Sequence, residues 1–267
     1  MSRLGRACVF GLGEAGSRLA GDLAAAGIEV HGYDPADVGT PDGVLRHDDP
    51  GSAARGAELV LAVTGAAQAA DALARAVEGI PHGALYADLS TAAPAVKRDL
   101  ARLAAGAGLG FVDVALMAPV PATGLRTPAL ASGPAAGAFV ATMAPLGMPV
   151  EDAGREPGRA ATRKLLRSVL MKGLAALVIE SMRAAEAAGL ADETWRNIVG
   201  QLSAADEALV RRLVAGTAQH AARRIHEMEA TADLLTELGV EPTMTSATTA
   251  NLRRLADDPS VVPPLPD

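Results

Sequence analysis

The chain has 267 residues, 49% of them hydrophobic and only 2% aromatic, and carries a formal net charge of −7. That length suits two moderate domains or one large one, with a core built mainly of Ala, Leu and Val. An acidic balance without a basic run excludes a general nucleic-acid or membrane-surface binder, and no apolar stretch has membrane length. The single cysteine, Cys8, reads as a buried apolar residue in the first strand and permits no internal disulfide, which points to a reducing, cytoplasmic setting.

In chain order, the apolar strand Ala7–Phe10 runs into Gly11-Leu12-Gly13-Glu14-Ala15-Gly16, a small-residue helix follows, and a second strand stops at Asp34. A lone Gly-x-Gly-x-x-Gly is also found in ordinary turns. Here the strand before it, the helix after it and an acid about twenty residues on complete a dinucleotide-binding fingerprint. Gly11 serves the tight turn, Gly13 lets backbone approach a pyrophosphate, and Gly16 lets helix and strand pack closely. Glu14 must then point outwards, since its charge would oppose the phosphates. Asp34 suits the ribose diol and repels a 2′-phosphate, so NAD is the expected cofactor, with NADP as the alternative.

A polar link from Pro35 to Gly51 holds a possible short strand at 43–46. The run 58–63 reads as a strand buried on both faces and ends at Val63 and Thr64, before a helix to about Glu78. A strand at 84–88 leads to Ser90 and Thr91, and Pro94 opens a helix to about Ala105. This alternation predicts an α/β fold with a parallel, doubly wound sheet of the Rossmann type and ligands at the strand C-termini. Thr64, Ser90 and Thr91 sit at such ends, as caps of the next helices, as ligand contacts, or as both. Two strands joined by a loop from Pro119 to Thr127, a helix at 134–143 and a strand at 148–151 would close a first domain, 1–157.

Beyond Pro157-Gly158 strand signals disappear, which predicts an all-helical second domain, 158–267. It would open with a helix from Arg159 to Ala188, roughly 40 Å long. The apolar positions of that helix cover much of its circumference and predict burial on more than one side. Helices at 193–202, 204–215, 218–238 and 245–257 should follow, with an extended or disordered tail from Pro259 to Asp267. Trp195 reads as a core or interface anchor.

On the long helix Lys164, Ser168 and Lys172 are spaced i, i+4, i+8 and share one face. Either they are a solvated stripe with snorkelling stems or they turn a proton-donating face to the cofactor cleft. Arg126, in the loop Gly124–Pro128, is a candidate anion contact or a solvated loop residue. His220 and His226 fall on one predicted helix at a spacing that does not put both on one face, so no metal is expected.

The whole chain resembles the β-hydroxyacid dehydrogenase superfamily, related to 6-phosphogluconate dehydrogenases. The resemblance rests on Gly11–Gly27, Asp88-Leu-Ser-Thr91, Gly158–Lys164 and Glu180–Leu190, in that order. It implies an NAD(P)-dependent oxidoreductase acting on a small-molecule substrate, and a homodimer formed through the helical domains. It also implies that Lys164 is the general acid/base, supported by Ser168, with Lys172 as a second cation near the substrate. Ser90, Met117, Arg126 and His226 become candidate substrate contacts. Three departures stand out. Arg167-Ser168 occupies the place of the family's asparagine pair. Asp113–Pro119 replaces a loop whose paired glycines hold a carboxylate, with apolar Met117 and a Pro119 that has no N–H. His226-Glu227 replaces a Lys-Asp pair. The pattern resembles a less characterised branch with an altered substrate loop, which leaves an imine reductase-like activity, or a non-catalytic cofactor sensor, as alternatives.

Overall fold

The computed structural model describes residues 4–265. Its chain divides into two compact units, residues 1–167 and 168–267. The boundary falls inside a single long helix.

The first unit is built on an eight-stranded sheet in the order β3-β2-β1-β4-β5-β6-β7-β8. Its strands are β1 Arg6–Phe10, β2 Glu29–Tyr33, β3 Val44–His47, β4 Leu59–Ala62, β5 Leu85–Asp88, β6 Gly110–Leu116, β7 Ala129–Ser132 and β8 Val150–Asp152. The helices between them are α1 Glu14–Ala25, α2 Pro50–Ala54, α3 Ala69–Ala76, α4 Pro94–Gly106, α5 Val120–Thr123 and α6 Ala136–Met143. The six strands from β1 to β6 are parallel, as the alternation predicts, but β7 pairs with β6 antiparallel and β8 then runs parallel to β7. The reason is the connection. Between β6 and β7 lie only α5 and one 3₁₀ turn, Gly124–Arg126, too little chain for a crossover, whereas α6 carries β7 to β8. The expected loop at 119–127 is thus partly helical.

Strand residues alternate between two cores. Ala7 and Val9 of β1 join Leu19 and Leu23 of α1 and Phe139 of α6 on one face of the sheet. Cys8 and Phe10 join Leu73 of α3 and Leu100 of α4 on the other. Cys8 is fully buried, and burial pushes its thiol far above the ordinary range, so it is inert.

The second unit contains most of α7 Arg159–Ala187, then α8 Ala191–Ser203, α9 Glu207–Gln219, α10 Ala221–Glu237 and α11 Thr243–Asp257. Gly189, at φ +72°, ends the long helix where the sequence places the stop. His220 stands in the break between α9 and α10, so it does not share a helix with His226. A 3₁₀ turn at Pro259–Val261 begins the expected tail, whose last two residues, 266 and 267, lie outside the described residues. The apolar residues of α7 are not enclosed as expected: Val169 is 75% exposed and Leu170 68%. Their pattern needs a second surface, and the described residues lay none over them. No helix among the described residues is long and apolar enough to cross a membrane.

Candidate active site

Parallel strands point their C-termini to one edge of the sheet, and the loops after β1, β4, β5 and β6 line that edge side by side. The glycine loop is the first of them. Gly11 has φ +84°, and a Cβ there would stand 2.3 Å from Val63 O. A Cβ on Gly16 would stand 1.7 Å from Gly11 O, so helix α1 and the loop touch backbone to backbone. A Cβ on Gly13 would meet nothing within 4 Å, which leaves open space beside the N-terminus of α1. No side chain caps that terminus, Glu14 is exposed and Ala15 is half-buried. Unpaired amides, a positive helix end and clear space are what a pyrophosphate needs.

Asp34 is held against this loop. Its Oδ2 accepts the Leu12 amide at 2.7 Å, and its Oδ1 accepts the Ala36 amide at 2.9 Å. Behind it Arg46 of β3 donates to the carbonyls of Asp34, Ala36 and Val38, pinning the turn after β2. A cleft of about 280 Å³ opens here, lined among others by Gly13, Asp34, Val63, Thr64 and Arg75. Tyr33 forms part of its wall, edge-on to Phe10 at 6.4 Å and 6.0 Å below the Arg75 guanidinium. Thr64 lines the cleft, and its Oγ1 is buried without a hydrogen-bond partner. The donor set, the space and the orphaned hydroxyl fit a dinucleotide. Sequence reasoning missed Tyr33 and Arg75, although Tyr33 directly precedes Asp34.

Further along the same edge α7 begins. Lys164, half-buried, donates from Nζ to Thr91 Oγ1 at 3.1 Å. One turn later Arg167 donates to Met117 O at 3.0 Å. Met117 gives its own amide to Pro128 O at 2.8 Å. Ser90 is buried and turns its hydroxyl to Asp88 Oδ2 at 2.9 Å. The hydroxyls of Thr64, Ser90 and Thr91 do not cap the following helices: the N-cap of α3 is Gln68 and that of α4 is Ala93, neither with a side-chain cap bond.

The remaining candidates lie elsewhere. Arg126 is exposed and lines a separate hollow with Arg18, Asp22 and Leu146, so it is not joined to Met117 and Lys164. Ser168, half-buried, and Lys172, exposed, belong to the second unit. His226, also there, is exposed and faces Glu229 Oε2 at 3.3 Å. Among the described residues no group of three His, Cys, Asp or Glu is placed to hold a metal.

Fold and cleft define a nicotinamide-dinucleotide-binding protein with a Rossmann unit and a helical C-terminal region. Residues 6–120 match the NAD binding domain of 6-phosphogluconate dehydrogenase, and residues 185–255 match a domain of unknown function, DUF1932. Residues 6–120 thus form an NAD-binding domain of the 6-phosphogluconate dehydrogenase kind, and the cofactor is a nicotinamide dinucleotide. A conserved hypothetical protein from Sinorhizobium meliloti 1021 is 28% identical at TM-score 0.62, over 94% of this chain and 88% of that one. MTH1747, a conserved protein of unknown function described as structurally similar to 3-hydroxyacid dehydrogenases, is 26% identical at TM-score 0.59, over 94% and 97%. An imine reductase from Myxococcus stipitatus in complex with NADP+ shares the fold, at TM-score 0.80 and 17% identity over 94% of each chain. No curated protein matches the chain.

Proposed function

We propose that the chain is an oxidoreductase that moves hydride between NAD, in preference to NADP, and a small hydroxy or carbonyl compound, with Lys164 as general acid/base. The observation that carries this reading is the Lys164 Nζ–Thr91 Oγ1 hydrogen bond, on the strand edge that also bears the glycine loop. When bound, the dinucleotide supplies or accepts the hydride. Lys164 gives the substrate oxygen its proton in one direction and takes it in the other, and the Thr91 hydroxyl orients the amine. Arg167, held by Met117 O, supplies a second cation beside the same edge. The NAD preference follows from Asp34, whose charge opposes a 2′-phosphate, and from Arg46, which is engaged by three carbonyls.

One observation favours a second reading, reduction of a neutral imine. The loop after β6 has little to offer a carboxylate, because the Met117 amide is taken by Pro128 O and Pro119 has none. The chain is also proposed to form a homodimer through its helical unit. Val169, Leu170, Ile179 and Trp195 stay exposed there, more apolar surface than a lone helical unit normally presents.

The test is oxidation of NADH and NADPH, followed by absorbance, with glyoxylate as a carbonyl acid and 1-pyrroline as a neutral imine. The first reading expects turnover with glyoxylate and a larger kcat/KM for NADH. Turnover with 1-pyrroline alone supports the second. Tight NADH binding with no oxidation by either compound or by a wider carbonyl panel identifies a cofactor-sensing protein instead.

A further inference from the structure

Asp88, Asp113 and Ser132 form one row across three strands: Asp88 is paired with Asp113 between β5 and β6, and Asp113 with Ser132 between β6 and β7. All three are fully buried, and so is Lys97 of α4. Lys97 Nζ lies 2.7 Å from Asp88 Oδ2 and 3.2 Å from Asp113 Oδ1, and donates to Asp88 O at 3.0 Å. Asp113 Oδ1 has no hydrogen bond of its own and is met by the charge of that ammonium.

A fold that needed only stability here would often do as well with packed apolar side chains, because burying three charges is expensive. What distinguishes this cluster is what it holds. Asp88 accepts the amide and the hydroxyl of Ser90, the residue before Thr91. Asp113 Oδ2 accepts the Ala161 amide at 3.0 Å and the Ser132 hydroxyl at 3.1 Å, and Ser132 Oγ accepts the Ala160 amide at 2.9 Å. Ala160 and Ala161 are the first turn of α7, and Lys164 follows one turn on. One carboxylate therefore fixes the loop that carries Thr91, and the other fixes the helix that carries Lys164. Two carboxylates against one ammonium leave a net negative charge, which the α7 N-terminus faces with its positive end.

We infer that Lys97 is a positioning residue for Lys164: its bridge between Asp88 and Asp113 sets the register at which Lys164 meets Thr91. The inference rests on the proposed role of Lys164, but its test does not. Trace acetylation with acetic anhydride across pH, in the full chain with NADH present, gives the labelling midpoint of Lys164 by mass spectrometry, with Lys172 as internal standard. Lys97→Met should move the Lys164 midpoint by about half a pH unit or more and leave Lys172 unmoved. Lys97→Arg, which keeps the charge, should bring it at least about half of the way back. An unmoved Lys164 midpoint in Lys97→Met, or an equal move at Lys172, overturns the inference. If Lys97→Met does not fold, Ser132→Ala, which strands no charge, carries the same expectation and the same overturning result. A Lys164 that responds to Lys97 and is yet dispensable for hydride transfer removes the catalytic reading and leaves the coupling standing.

Discussion

The carboxylate of Asp34 accepts the backbone amide of Leu12 at 2.7 Å, which ties the end of β2 to the glycine loop after β1. Asp34 thus braces the phosphate loop, and the proposed ribose contact would be an additional role for the same carboxylate. Replacing it with Ala removes a charge-assisted hydrogen bond, worth about 1.5–3 kcal/mol. Fluorescence titration should show NADH affinity falling by about tenfold or more in Asp34→Ala, with NADPH affected less because the repulsion of its phosphate is relieved.

The last two glycines of the loop, Gly13 and Gly16, separate packing from ligand approach. Gly16→Ala places a methyl 1.7 Å from Gly11 O, so backbone must shift. It should lower stability by about 1–3 kcal/mol, read as a lower Tm. Gly13→Ala meets no protein atom within 4 Å and should keep its Tm while weakening NADH binding.

In the helical unit Glu180 of α7 does the work of a cap for α11. The position before α11 is Pro242, which has no side-chain cap bond, and Glu180 instead accepts the Met244 and Thr245 amides and the Thr245 hydroxyl. Burial alone would raise its carboxyl, but the hydrogen bonds from Met244, Thr245 and Thr243 together hold it below the ordinary value of 4.5. A carboxylate lowered in the folded state stabilises fully above the unfolded value, and the contribution is lost as pH falls through the folded one. Urea midpoints of the wild type should therefore drop below about pH 4.5, and those of Glu180→Gln should drop less over that window. At neutral pH Glu180→Ala should cost about 1–2 kcal/mol.

Tyr86 is the counter-example of a polar group with no partner. Its hydroxyl is fully enclosed in the core it shares with Cys8, Leu73 and Leu100, without a hydrogen bond, and burial, then the nearby charge of Asp88, pushes it well above its ordinary range. Tyr86→Phe should leave Tm unchanged or raise it, since no bond is lost and a desolvation penalty of about 1–3 kcal/mol is relieved.

The parts of the molecule that were legible in the sequence are those whose information is local. Gly11, Gly13, Gly16 and Asp34 lie within one βαβ unit, and the apolar run at 58–63 reads as a strand on its own, where β4 spans 59–62. Nearly every helix of the second unit follows from periodicity and Gly189. The reversal of β7 was not legible, because it depends on how little chain separates it from β6. The Asp88–Lys97–Asp113–Ser132 row was equally hidden: its members are far apart in sequence and meet only through strand register. Periodicity also made α7 look enclosed, because a pattern that requires a second surface does not say which chain supplies it. Arg126 reads in the sequence as an anion contact or a solvated loop residue, and no local signal says that its loop folds against α1.

The proposed function stands or falls on Lys164. The direct measurement is the single-turnover rate of NADH oxidation in Lys164→Met, beside its NADH dissociation constant, with whichever probe compound the wild type reduces. Loss of the general acid should slow hydride transfer by about 10²–10⁴-fold while NADH affinity stays within about twofold of wild type. A variant that binds NADH and oxidises it at the wild-type rate would contradict the account and take Lys164 out of the chemistry.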